Sequence, residues 1–231
     1  MKVSICIPAY KHIDFLKRCL DSILEQEFSD YEVVITDDSP DNSLQKLIEI
    51  YSDKRIQYFK NEKALGSPKN WNEGIKRAKG EYIKILHHDD WFSSPQSLSK
   101  FVKLLDENPD ADIAFSASCD INANNEKKTH IANETFLSNL REETETIYTG
   151  NQLGAPSVCI FRNKNYTFDP NLIWLVDIDF YMQVIMKKKS FAFTSEILVN
   201  IGVSEFQITR QCLTEAKVRI SEKIYLYQKY N

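Results

Sequence analysis

An α/β protein built on a doubly wound, mostly parallel sheet is predicted by three observations. Short β-branched, apolar runs alternate with segments of helical periodicity through the first half of the chain. Those runs are almost continuously apolar, as strands covered on both faces must be. Acidic or polar clusters follow them directly, at the strand ends where an open α/β sheet forms its ligand crevice.

Each element can be justified in order. Residues 3–7 are β-branched and apolar, and Ile13, Leu16, Leu20, Ile23 and Leu24 then recur on one helical face. Residues 31–36 form a second strand, followed by Leu44, Leu47, Ile48 and Tyr51 on a helix; residues 55–59 are a third strand. Trp71, Ile75 and Ala78 mark the next helix, residues 81–86 a fourth strand, 95–105 a helix and 113–115 a strand. Three helices are preceded by the same pair, Ser39-Pro40, Ser67-Pro68 and Ser94-Pro95, which predicts a serine N-cap with proline in the first helical position. Residues 117–150 are polar and read as a mobile excursion with one short helix at 136–140. A strand at 157–161, a helix at 177–188, one or two strands within 191–201 and a helical stretch over 205–230 complete the chain.

Composition narrows the function. The 231 residues are 42% hydrophobic and 27% charged with a net charge of −4, so no basic footprint for nucleic acid exists. No run approaches the roughly 18 apolar residues of a membrane span. The N-terminal run meets Pro8 too early for a signal peptide, which predicts a cytoplasmic protein. Cys6, Cys19, Cys119, Cys159 and Cys212 are scattered and odd in number, and read as reduced thiols. On that view the sequons at Asn133 and Asn165 carry no meaning.

Four clusters fall at the ends of predicted strands: Pro8-Ala9-Tyr10, Thr36-Asp37-Asp38-Ser39, the loop 61–69, and His87-His88-Asp89-Asp90. Parallel strands bring all four to one sheet edge. Two adjacent carboxylates there repel each other, and a divalent cation converts that repulsion into shared oxygen coordination. A nucleoside diphosphate suits the set: Tyr10 stacks on the base, Asp38 accepts a base N–H, and a metal at the acidic pair bridges the phosphates. Asp37 is assigned to an Asx turn. His87 and His88 are assigned to packing and hydrogen bonding, because only one of two neighbours on an extended segment faces the crevice. Trp91 and Trp174 either line an acceptor sugar site or pack in the core.

The order Ser4-Ile5-Cys6-Ile7-Pro8-Ala9-Tyr10, Val33-Val34-Ile35-Thr36-Asp37-Asp38-Ser39, Asn72-Glu73-Gly74-Ile75 through Tyr82-Ile83, and His88-Asp89-Asp90 resembles the family 2 glycosyltransferases. The second half resembles them through Trp174-Leu175-Val176-Asp177-Ile178-Asp179-Phe180. The resemblance implies a GT-A fold: a nucleotide-sugar-binding half over 1–116 merged with an acceptor-binding half over 117–231 in one continuous domain. It further implies that Pro8, Ala9, Tyr10 and Asp38 hold a pyrimidine nucleoside, that Asp89 touches ribose or metal, and that Asp90 binds Mn²⁺ or Mg²⁺. Asp177 becomes the general base of an inverting transfer, with Asp179 as its competitor two residues on. Trp71 stands where relatives carry a base-facing arginine, leaving Lys69 as its substitute. No histidine follows His130, so Gln207 is the candidate to close the metal site from the C-terminal side.

The implied donor is a UDP- or dTDP-sugar and the acceptor a glycan or lipid-linked glycan. A peripheral contact with the inner face of a membrane through Val218, Ile220, Ile224, Tyr225, Leu226 and Tyr227 is the weaker reading of that segment; a packed terminal helix is the stronger. A catalytically degenerate nucleotide-sugar-binding protein of the same fold is the alternative. A nucleotidyltransferase would need a glycine-rich loop after the first strand, and the first glycine here is Gly66.

Overall fold

The computed structural model describes residues 1–204 and 215–230. Its first half runs β1 (Val3–Ala9), α1 (Ile13–Leu24), β2 (Tyr31–Asp37), α2 (Ser43–Ile48), β3 (Ile56–Lys60), α3 (Lys69–Arg77) and β4 (Tyr82–Ile85). There follow β5 (Trp91–Phe92), α4 (Ser97–Asp106), β6 (Ile113–Asn122), β7 (Lys127–His130) and α5 (Glu134–Glu142). The last elements are β8 (Cys159–Arg162), α6 (Val176–Lys188), β9 (Ala192–Val203) and α7 (Ala216–Tyr230).

Among the described residues these strands make one sheet in the order β3-β2-β1-β4-β8-β6-β9-β5, with β7 paired to β6. β3, β2, β1 and β4 are mutually parallel. β8 is antiparallel to both β4 and β6, so β6 and its parallel neighbour β9 run the same way as β4. The sheet is therefore mostly parallel, as expected, with β5, β7 and β8 reversed.

The period-2 pleat sends alternate side chains to two cores. Ile5 and Ile7 of β1 and Val33 and Ile35 of β2 meet Leu16, Leu20 and Ile23 of α1, Leu44 of α2 and Phe101 of α4. Cys6 and Val34 face the other layer with Ile75 of α3, Leu137 of α5, Phe180 of α6 and Leu226 of α7. Each large aliphatic or aromatic side chain fully buried in these layers contributes about 1.5–3 kcal/mol.

Three expectations need correction. The Ser-Pro pairs precede their helices without capping them: α2, α3 and α4 start at Ser43, Lys69 and Ser97. The Ser39 hydroxyl instead accepts the Lys11 backbone N–H at 2.7 Å, and the Asp41 carboxylate accepts the Ser43 N–H. The polar stretch from 117 is ordered structure. β6 continues to Asn122 because its second half is paired on both sides, to β9 and to β7, and the Asn122 side chain closes the β6–β7 hairpin by accepting from Asn124 and Glu126 N–H. The boundary expected between the two halves of one continuous domain, at 116 and 117, lies within β6. Finally, β5 was not foreseen; a two-residue strand has no periodicity to read.

α7 accounts for the C-terminal helix from 216; residues 205–214, including Gln207 and Cys212, lie outside the described residues. The four described cysteines are free and buried, as expected. No helix among the described residues is long and apolar enough to cross a membrane. In α7, Leu226 is buried while Ile220, Ile224 and Tyr227 are exposed.

Candidate active site

The parallel register of β1 with β2 and β4 places the turns after these strands side by side. Together with the start of α6 they enclose a crevice of about 640 Å³. Pro8, Ala9, Tyr10, Asp38, Asp89, Asp90, Trp174 and Asp177 all line it.

On the β1–β2 side, Tyr10 is 47% exposed and so presents its ring to the crevice. Asp38 is buried, and its carboxylate accepts from Asn61 Nδ2 at 2.7 Å, Leu65 N at 3.0 Å and Gly66 N at 2.8 Å. A carboxylate has about four lone-pair sites, so shaping the 61–66 loop uses most of them. Asp37 makes the Asx turn: its Oδ1 accepts the Ser39 N–H, and its Oδ2 accepts from Tyr58 and Lys60. Lys69 is exposed and does not line the crevice; its neighbour Asn70 does, tied to the Thr36 carbonyl.

After β4 the chain turns rather than staying extended, and this is why both His87 and His88 border the crevice. His88 hydrogen-bonds the Pro8 backbone and stacks on His12, the packing role expected of it. His87 differs. Its ring lies against Trp71 at 4.6 Å between centroids, and its backbone N–H is held by the Ser157 hydroxyl at 3.0 Å. Burial lowers its pKa to about 4, leaving a neutral imidazole with a lone pair.

Asp90 is 2% exposed. Burial, reinforced by Asp89, pushes its pKa well above the usual carboxylate range, while Ser157 and the Gly202 N–H at 3.0 Å work the other way. Gly202 is required by close approach: a Cβ there would stand 2.3 Å from the Asp89 carbonyl oxygen. Arg18 grips that same carbonyl at 2.9 Å from outside. The buried Lys84 ammonium, its pKa lowered to about 8 by burial, donates to the Ser157 carbonyl and so anchors the segment carrying the Ser157 hydroxyl.

His87, Asp89 and Asp90 each bring a donor atom within 4.8 Å of the others. Two carboxylates and a neutral imidazole form a donor set that fits a divalent cation. Four carboxylates line the crevice, with no lysine or arginine among the described lining residues.

Across the crevice stands Asp177, in the first turn of α6. Its carboxylate accepts from Asn151 Nδ2 at 2.7 Å and from the Ile178 N–H at 2.8 Å. Burial outweighs these bonds and raises its pKa to about 6, the range in which a carboxylate works as a base near neutrality. Asp179 is spent elsewhere: fully buried, it pairs with Lys229 and accepts from the Tyr230 hydroxyl of α7. The turn before α6 has no cap of its own. The Glu222 carboxylate of α7 supplies it, accepting the N–H groups of Ile173, Trp174 and Leu175 at 2.7–3.0 Å.

Of the two tryptophans, Trp174 lines the crevice and Trp91 does not. Strand alternation buries Phe92, which leaves Trp91 on the far side under the Arg18 guanidinium at 3.6 Å. Trp71 lines the crevice, packed edge-on to Phe168. Gly202, Ser157, Asn151 and Glu222 went unread in the sequence, since each acts through a partner 26–113 positions away.

Comparison with known proteins identifies the family and the fold. The profile described as glycosyl transferase family 2 matches residues 4–167. An uncharacterized glycosyltransferase of Methanocaldococcus jannaschii is 29% identical over 87% of this chain and 70% of its own length. A poly(ribitol-phosphate) beta-glucosyltransferase of Bacillus spizizenii is 27% identical over 85% of this chain, which spans only 31% of that enzyme. Among solved structures, S. aureus TarS 1-349 in complex with UDP-GlcNAc superposes with a TM-score of 0.72 at 20% identity, covering 91% of this chain and 61% of that one. The Pyrobaculum calidifontis mannosyltransferase in complex with GDP-Man and Mn²⁺ gives 0.70 at 16% identity, covering 97% and 64%. These neighbours share the GT-A fold. With the profile covering most of the chain, from the first strand past the eighth, the protein belongs to glycosyl transferase family 2.

Proposed function

We propose that this protein transfers a sugar from a UDP- or dTDP-sugar to a hydroxyl of a glycan or lipid-linked glycan, with inversion at the anomeric carbon. The observation that carries the reading is the opposition of Asp177 to the His87, Asp89 and Asp90 cluster across one crevice. Pro8, Ala9 and Tyr10 hold the nucleoside, with Asp38 shaping the wall beside it. Asp89 and Asp90 would hold Mn²⁺ or Mg²⁺. Such a cation, when bound, offsets the negative charge of the departing nucleoside diphosphate, worth several kcal/mol.

Trp174 offers an aromatic face to the acceptor ring and orients its hydroxyl toward Asp177. As that oxygen attacks the anomeric carbon, its proton passes to the Asp177 carboxylate, and the bond to the diphosphate oxygen breaks with its electron pair. Base assistance of this kind contributes about 10²–10⁴-fold. A single displacement from the face opposite the leaving group inverts the centre. The exposed Ile220, Ile224 and Tyr227 of α7 are where a membrane bearing a lipid-linked acceptor would be met.

The test is a thermal-shift panel of UDP, dTDP, GDP and ADP, each with Mn²⁺, Mg²⁺ or chelator. Ligand at about 100 times its Kd stabilises the fold by about 2.7 kcal/mol. A shift for UDP or dTDP that grows with the cation and is lost in Asp90→Asn is expected. No shift with any nucleotide sinks the reading.

A further inference from the structure

We propose that His87 is a protein ligand of the cation in this crevice and that it tunes the site toward Mn²⁺ over Mg²⁺. This deepens, and rests on, the cation-assisted transfer proposed above.

Among the described residues neither ring nitrogen of His87 makes a hydrogen bond. Nδ1 stands 3.9 Å from an Asp90 carboxylate oxygen, and Nε2 is buried without a partner. A separation of 3.9 Å is too long for a hydrogen bond. It falls within the range that two donors on one ion span. At metal–ligand distances of about 2.1 Å, donors at right angles are about 3.0 Å apart and donors across the ion about 4.2 Å. The Asp89 oxygen belongs to the same set, whose members all lie within 4.8 Å of one another, so a side-chain shift of a few tenths of an ångström brings the three donors onto one ion.

The imidazole is also held for the task. Trp71 packs on the ring and the Ser157 hydroxyl fixes the backbone of the same residue. Ser157 hydrogen-bonds the Asp90 carboxylate too, so one hydroxyl sets two of the three donors. A ring merely packing against Trp71 would not need an unengaged nitrogen aimed at the acidic pair. His88 Nε2 is likewise buried without a partner, but that ring is tied to Pro8, stacked on His12 and not among the three donors that converge.

The donor type carries a consequence. Mg²⁺ demands oxygen ligands and gives up water reluctantly, whereas first-row transition ions accept imidazole nitrogen. Mn²⁺ tolerates both. A nitrogen among three protein donors therefore raises affinity for Mn²⁺ and does little for Mg²⁺.

The experiment uses the full chain, stripped with chelator and reloaded in the presence of UDP. Mn²⁺ and Mg²⁺ affinities are measured by calorimetry, and the Mn²⁺ complex is read by pulsed electron spin resonance for coupling to a ¹⁴N nucleus. Wild type is expected to show that coupling and to prefer Mn²⁺. His87→Asp should lose the coupling and draw the two affinities together. His87→Gln should weaken Mn²⁺ by about tenfold or more, since even losing a group that only orients a ligand costs 10–100-fold. Bound Mn²⁺ without ¹⁴N coupling in wild type, coupling that survives in His87→Asp, or an unchanged affinity ratio overturns the assignment. The wild-type spectrum decides even where a variant fails to fold. Absence of any Mn²⁺ binding overturns the cation reading itself, a separate failure.

Discussion

Replacing Gly202 by alanine tests how the acidic pair is held. The new Cβ would lie 2.3 Å from the Asp89 carbonyl oxygen, 3.1 Å from the Arg18 guanidinium and 3.2 Å from the Asp89 carbonyl carbon. The first distance is about 0.7 Å short of the 3.0 Å that real Cβ contacts keep. No flexible side chain can yield there, because the obstacle is backbone. Either β9 or the 89–90 turn has to move, and the Gly202 N–H bond to Asp90 at 3.0 Å spans the two. Overpacking of this kind costs about 1–3 kcal/mol. A displacement approaching 1 Å also takes Asp90 out of register with Asp89 and His87. Gly202→Ala is therefore expected to lower stability by that amount in urea and to weaken cation-dependent nucleotide binding by about tenfold or more, a loss of about 1.4 kcal/mol. Gly150→Ala is the control, because nothing lies within 4 Å of a Cβ there. Wild-type stability and binding in Gly202→Ala would refute the claim that this contact sets the site.

Two further outcomes follow from the acceptor side. Asp177→Asn is expected to reduce turnover by about 10²–10⁴-fold while leaving nucleotide binding intact. The wild-type carboxyl has a folded pKa of about 6 against 3.8 in the unfolded chain. Its ionised form is thus disfavoured by folding, and the penalty is full above pH 6 and absent below pH 3.8. The asparagine variant should accordingly gain up to about 3 kcal/mol at pH 7, shrinking to zero in acid, as read by denaturation at several pH values. A variant of unchanged stability at every pH would contradict the burial argument; unchanged turnover would remove Asp177 as the base. Glu222→Gln weakens a charged acceptor of three N–H groups and should cost about 1.5–3 kcal/mol. Because those groups belong to Ile173, Trp174 and Leu175, turnover should fall more than donor binding. Equal losses in both would show that Glu222 supports only the fold.

The alternation of strands and helices in the first half was legible because a buried parallel strand and an amphipathic helix leave different periods in the sequence. Ile5, Val33 and Ile83 against Leu16, Leu20 and Ile75 are read directly as such. The crevice followed from topology, since parallel strands carry their following turns to one edge. Pro8, Ala9, Tyr10, Asp38, Asp89 and Asp90 line it, and so does Asp177, which only the family resemblance had brought forward. Lys69 and Trp91 did not, because a helix start and a two-residue strand turned them away.

What a chain encodes in nearest-neighbour pattern can be read from one residue to the next: strand, helix, and the acidic turns between them. Which polar groups end up paired is decided by approach across the fold. Asp177 and Asp179 are two residues apart on one helix, yet one faces the crevice beside Asn151 and the other is neutralised by Lys229. His87 became a donor only because β4 ends in a turn and Trp71 packs its ring in place. Gly202 and Glu222 hold the two sides of the site from 112 and 47 or more positions away. Such pairings depend on distances of a few ångströms in a packed interior, and no local pattern in the chain records them.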